Sequence, residues 1–162
     1  MSTGVRIRRA RPRDSLAVAA LDRVAWRNNA HSAFIPDGEH VWRIWCEHAL
    51  TFVACRGTRV VGAILAFPCV RGGYCVHKVM VAGGCRGQGI ATRLMRALLQ
   101  ALDRRRVNVF LTVDPANRPA LQLYRAWGFT SGRMVRGFYR RQEDRLVLSR
   151  PRHRRATRGA GA

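Results

Sequence analysis

Lysine is almost absent from this chain. Of its 30 basic residues, Lys78 is the one lysine, and the other 29 are arginines. Acidic residues are scarce as well, nine in 162, which leaves a formal charge of +21. Such a field attracts anions: a polyphosphate cofactor, nucleic acid or an acidic protein. A second reading is compositional, since a GC-rich coding sequence favours Arg over Lys, and the even spread of the arginines favours it. No aromatic-interleaved basic stripe of the RNA-binding kind occurs, so nucleic acid is the less favoured partner. The five cysteines are odd in number and contain no CxxC pair. That pattern argues against a disulfide framework or a metal site. They read as reduced, mostly buried small hydrophobes, with Cys85 the one placed for access. No apolar run approaches the roughly 20 residues of a membrane span. The first residues, Met1 to Arg9, lack an apolar signal core, so the cytoplasm is the expected location.

A hydrophobic share of 48% is that of a globular chain, and the length suits one domain. Val5 to Arg9 alternates and predicts a strand. Asp14 or Ser15 can cap a helix whose inward face would be Leu16, Ala17, Ala20, Leu21, Val24 and Ala25. His31 to Gly38 reads as a loop, and Glu39 to Leu50 as a helix with Val41, Trp42, Trp45 and Ala49 inward. Thr51–Cys55 and Val60–Phe67 form a hairpin by pattern, and Tyr74–Val81 is the next strand. Ile90, Leu94, Leu98 and Leu102 then recur at helical spacing, beside Ala91, Met95 and Ala101. Val107 to Val113 returns as a strand, which implies a parallel crossover. Asn117 opens a short helix to about Ala126, which Gly128 ends. Arg133–Tyr139 and Arg145–Leu148 predict a last hairpin. Residues 1–150 thus form one domain, without internal repeats, and residues 151–162 a basic flexible tail.

The informative stretch is Val79 to Thr92. An apolar strand meets a glycine turn, and a helix starts at once. Gly84, Gly87 and Gly89 free the backbone to approach a ligand, and the helix start offers unpaired N–H groups to a phosphate. A Walker loop would need Gly-Lys-Ser/Thr, and the only lysine precedes the turn. A dinucleotide fingerprint fails too: Gly87-Gln88-Gly89-Ile90-Ala91-Thr92 ends in Thr, and no early βα unit precedes it.

Arg86-Gly87-Gln88-Gly89-Ile90-Ala91 does resemble the Arg/Gln-x-x-Gly-x-Gly/Ala cofactor loop of the GNAT superfamily of N-acyltransferases. Asn117, Ala120, Leu123-Tyr124 and Gly128-Phe129 resemble that family's second signature, and Tyr139 with Glu143-Asp144-Arg145-Leu146 its closing hairpin. The resemblance implies a single-domain α/β (α+β) fold. Its central sheet is mixed and mostly antiparallel, with six to seven strands splayed between the fourth and fifth and about four helices around them. It also implies acetyl-CoA as co-substrate. Backbone amides of Arg86 to Thr92 would hold the pyrophosphate, Val79 and Val81 the pantetheine arm, and Asn117 and Tyr124 further parts of the cofactor. The implied activity is transfer of an acetyl group to a primary amine by direct attack, with Tyr124 protonating the leaving thiolate. The amine belongs to a small molecule or a protein. A homodimer is among the expected assemblies and a membrane is not. The alternative is a coenzyme A-binding module without turnover, docked on nucleic acid or an acidic partner.

The base is left open by the pattern. Family members acting on protein N-termini often carry a Glu where this chain has Thr112, a departure that weakens the expectation of an N-terminal acceptor. His77 is one candidate, since an unbroken strand would give it the face of Val79, and imidazole exchanges protons near neutral pH. A water chain is the other. An acidic and aromatic lip of Phe34, Asp37, Glu39 and Trp42 would suit a cationic amine.

Overall fold

A computed structural model of the chain describes residues 4–27 and 35–152. Among the described residues, seven strands form one sheet in the order β1-β2-β3-β4-β5-β7-β6. They are β1 (Val5–Arg9), β2 (Leu50–Arg56), β3 (Arg59–Pro68), β4 (Tyr74–Val81), β5 (Val109–Val113), β6 (Ser131–Val135) and β7 (Arg145–Arg150). The helices are α1 (Ser15–Arg27), α2 (Glu39–His48), α3 (Ile90–Arg105) and α4 (Arg118–Ala126). Every neighbouring pair is antiparallel except β4 and β5. That exception follows from α3, the crossover that returns the chain in the same direction. The expected mixed sheet, its count of strands and its four helices are all present. The last hairpin differs in detail: β6 ends at Val135, so Tyr139 stands in the connection to β7 rather than in a strand.

The sheet has a core on each face. Under α3 lie Ile64, Leu94, Leu98, Leu102, Leu111 and Phe129, with Tyr124 and Trp127 of the α4 region packed against them. Leu94, Leu98 and Leu102 are wholly buried, each contributing about 1.5–3 kcal/mol by leaving water. Under α1 and α2 lie Val18, Ala19, Trp42, Cys46, Val53 and Leu65.

The inward face of α1 is rotated from the predicted one. Leu21 is buried and Ala25 packs against the core as expected, but Ser15, Val18, Ala19 and Asp22 are buried too, while Leu16 and Val24 are 63% and 48% exposed. The buried set is also spaced i, i+3, i+4, i+7, a legitimate helical stripe. What selects it is an ion pair: Asp22 meets Lys78 on β4, both at hydrogen-bond distance. On α2, Trp42 and Cys46 point inward and Val41 does not. Asn28 and Asn29, His31 to Phe34 and most of the basic tail lie outside the described residues. Among the described residues no helix is long and apolar enough to cross a membrane.

Candidate active site

The one parallel pair is also the shortest. β4 and β5 pair only through Tyr74–Val109, Cys75–Phe110 and Val76–Leu111. Beyond Val76, β4 keeps β3 as its partner up to Val81, and the edge toward β5 is given up. The groove that opens there has a volume of about 1110 Å³. Its walls come from β4, the glycine turn, the start of α3, the end of β5, α4 and the β6–β7 connection.

Of the twelve residues singled out from sequence, eleven line this groove: His77, Val79, Val81, Arg86, Gly87, Gly89, Ile90, Ala91, Thr92, Asn117 and Tyr124. Gln88 does not. Its side-chain oxygen accepts from Arg56 at 2.7 Å, and its amide nitrogen reaches back to the Gly84 carbonyl.

The turn is built by its glycines. Gly87 and Gly89 have φ of +72° and +69°, the left-handed region, and Gly89 is the residue before α3 begins. Gly84 has neither a positive φ nor a neighbour that a Cβ would meet, so it does not share their role. Beside it, Cys85 is buried rather than accessible. A phosphate fits this cradle. The space beside Gly87 and Gly89 is open, the first N–H groups of α3 lack helical partners, and the helix dipole is positive there.

Asn117 caps α4, accepting from the Ala120 N–H at 3.2 Å. Cap and groove wall are therefore one residue. Tyr124 is half-buried one side of the groove, with its ring 6.1 Å from those of Trp127 and Phe129. Burial pushes its phenol above the usual tyrosine value, which keeps it protonated at neutral pH.

His77 sits where β4 is irregular. Opposite it the register with β3 jumps from Leu65–Lys78 to Ala66–Val76, so His77 is the extra residue of a β-bulge. The strand is not unbroken, and His77 does not share the packing of Val79. Val79 packs under α3, whereas the His77 ring lies 5.2 Å from Trp45 and 5.8 Å from Phe67, on the α1–α2 side. Its Nε2 is 3.1 Å from Asp37 Oδ2.

Behind His77 stands a cluster that sequence reasoning missed. Lys78 Nζ lies 3.0 and 2.9 Å from the two oxygens of Asp22 and 2.6 Å from Asp37 Oδ2. Asp22 Oδ2 also accepts from the Asp37 N–H at 2.7 Å and from Trp42 Nε1 at 3.0 Å. Asp22 is wholly buried and Lys78 nearly so. Burial alone would raise the Asp37 carboxyl, but hydrogen bonds from His77 and Lys78 outweigh it and hold it below the usual carboxylate range. The available signal was the lone lysine itself, alternating with apolar residues on a strand in a chain that otherwise uses arginine.

The expected acidic and aromatic lip is accordingly changed. Trp42 is core, and Glu39 pairs with Arg23 on the surface at 3.0 Å. Phe34 lies outside the described residues. Asp37 does not line the groove itself; its carboxylate is turned toward Lys78 and His77, which do. On the facing wall, Thr112 Oγ1 is 2.9 Å from the Tyr139 hydroxyl, and the Arg145 guanidinium stacks over the Tyr139 ring at 5.2 Å. Glu143 lies between Arg140 and Arg145 at 3.5 and 3.3 Å. Among the described residues no cluster of His, Cys, Asp and Glu could hold a metal ion.

A cradle for phosphate, a gap between parallel strands and a protonated phenol on one groove define a class. The model of the acetyltransferase (GNAT) family matches residues 17–129. The chain belongs to that family, the acetyl-CoA-dependent N-acyltransferases. It is 29% identical to an N-alpha-acetyltransferase of Sulfurisphaera tokodaii over 161 residues, covering 90% of this chain and 92% of that one. It is 32% identical to an N-alpha-acetyltransferase of Saccharolobus solfataricus over 84 residues, which span 51% of this chain and half the length of that relative. Its fold is similar to that of the ribosomal-protein-S18-alanine N-acetyltransferase of Escherichia coli, with a TM-score of 0.78 at 18% identity over 96% of this chain and 98% of that chain.

Proposed function

We propose that the protein transfers the acetyl group of acetyl-CoA to the N-terminal amine of a protein, with Tyr124 as general acid and His77 as general base. The observation that carries this reading is convergence. The Gly87–Gly89 cradle, the open edge of β4, the Tyr124 phenol and the His77 imidazole line one groove. The protein-amine half rests on similarity to two N-alpha-acetyltransferases.

Coenzyme A supplies the acetyl group as a thioester, activated for attack by an amine. Backbone amides of Arg86 to Thr92 hold its pyrophosphate, and the open edge of β4 at Val79 and Val81 lies along its arm. An N–H on that edge stabilises the negative charge that grows on the carbonyl oxygen. The amine nitrogen bonds to the carbonyl carbon as the carbon–sulfur bond breaks. His77 removes the proton from nitrogen, and Tyr124 gives one to sulfur. The two side chains then exchange with solvent, and the proton count closes.

The test is acetyl-CoA turnover with peptides bearing free N-termini, against small primary amines. Tyr124→Phe is expected to lower kcat by about 10²-fold or more, with coenzyme A binding retained. Full activity in that variant across the neutral pH range would remove the acid role. Faster turnover of small amines than of any peptide would remove the N-terminal acceptor. Coenzyme A binding without turnover of either would leave a cofactor-binding module.

A further inference from the structure

We propose that Asp37 is the positioning residue of His77: its carboxylate takes the hydrogen bond of Nε2–H and so leaves Nδ1 as the nitrogen that accepts the proton of the acceptor amine. This rests on the reading of His77 as the base and adds to it an atom and an anchor.

The argument starts from donor and acceptor inventory. A carboxylate only accepts, so a 3.1 Å contact between His77 Nε2 and Asp37 Oδ2 requires the proton to sit on Nε2. A neutral imidazole has one N–H, and its lone pair is then on Nδ1. The base therefore has a defined tautomer before substrate arrives.

Asp37 itself is anchored. Its N–H donates to Asp22 at 2.7 Å, and Lys78 Nζ meets its Oδ2 at 2.6 Å. Asp22 in turn fixes Lys78 with both oxygens and accepts from Trp42. The start of α2, the segment before it, α1 and β4 are thus tied to one another at one wholly buried carboxylate. The β-bulge adds the second constraint, by carrying His77 to the face where Asp37 stands. Trp45 and Phe67 then confine the ring plane. The charged groups around His77 are Asp37 from the segment before α2, Lys78 from its own strand and Asp22 from α1 behind it. In the reaction the amine's proton passes to Nδ1, its electron pair becomes the new carbon–nitrogen bond, and the imidazolium later returns the proton to water.

Asp37→Asn leaves Lys78 its bidentate contact with Asp22, so the fold is expected to persist, as the Tm checks. Two arms test the proposal. Nitrogen-15 NMR of the full chain, with His77 assigned from the His77→Gln spectrum, is expected to show neutral His77 with its proton on Nε2. Asp37→Asn is expected to erode that preference. A neutral His77 protonated on Nδ1, or a tautomer unchanged in Asp37→Asn, overturns the proposal. In turnover, Asp37→Asn is expected to lose about 10²-fold in kcat. Asp37→Glu is expected to restore part of that rate. A His77→Gln variant with full turnover would overturn the base reading while the NMR arm still decides the tautomer. Loss in His77→Gln together with an unchanged rate in Asp37→Asn would overturn the positioning role alone.

Discussion

Lys78 is a lysine because the space between Asp22 and Asp37 suits a compact point charge. Its Nζ reaches three carboxylate oxygens within 3.0 Å. A planar guanidinium, with five donors in a fixed fork, cannot be placed there without leaving some of them unpaired. Lys78→Arg is therefore expected to destabilise the protein despite conserving charge. Asp22→Ala is expected to cost more, about 3–5 kcal/mol, since it removes the buried carboxylate that holds Lys78 with both oxygens and also accepts from Trp42 and the Asp37 N–H. Urea denaturation compares the two; an Asp22→Ala variant as stable as the parent would show that the cluster contributes nothing. A second carboxylate gives a pH-dependent term. Asp14 is held below the usual range first by Arg8, which contacts both its oxygens at 2.7 and 2.9 Å, and also by the Arg11 N–H. Its folded value is depressed, so its contribution is present above the unfolded carboxylate value near 3.9 and is lost as pH falls through the folded one. Asp14→Asn should thus lower stability at pH 7, and the gap from the parent should close on acidification. A gap that stays constant to low pH would refute this.

At the scale of elements, the turn between β4 and α3 was legible because its chemistry is local. Gly87 and Gly89 are spaced by the backbone they must form, and the apolar strand and periodic helix around them announce themselves. Strand β5 and α3 were legible for the same reason, with Val109, Leu111 and Val113 buried as their alternation predicts. The face of α1 was legible only in part, through Leu21 and Ala25. Two apolar stripes compete on that helix, and the choice is made by Asp22 meeting a lysine 56 residues away. The bulge at His77 was equally hidden, since it exists only in the register between β3 and β4. Groove residues such as Tyr139 of the β6–β7 connection and Arg145 at the start of β7 are brought in by sheet order. The glycines give the prediction at this scale. Gly89→Ala places a Cβ at φ +69° just before α3, at a cost of about 1–2 kcal/mol, and narrows the phosphate cradle. It should raise the KM for acetyl-CoA, with Gly84→Ala close to the parent. Equal behaviour of the two variants in a coenzyme A titration would mean that left-handed backbone does not matter to the cradle.

The whole molecule carries +21 formal charges on 162 residues, and its few acids are disproportionately engaged. Asp22, Asp37, Asp14 and Glu143 all sit in short contacts with basic groups. Positive side chains therefore far outnumber the negative ones that could neutralise them. Self-repulsion of that kind opposes the compact state, and salt relieves it, shrinking the Debye length from about 10 Å at 0.1 M to about 3 Å at 1 M. Buried pairs such as Lys78 with Asp22 are screened far less, so salt removes repulsion without removing that attraction. The Tm should accordingly rise with sodium chloride. On the proposed reading of the groove, the same field draws the phosphates of coenzyme A toward it, and that help is screened as well. Affinity for acetyl-CoA should therefore fall over the range in which stability rises. Two opposite slopes, measured by thermal melts and by KM in the same buffers, are the signature of a diffuse cationic field. A Tm that falls with salt would place the stabilising electrostatics in surface ion pairs instead, and an unchanged KM would confine coenzyme A binding to the backbone amides of the glycine cradle.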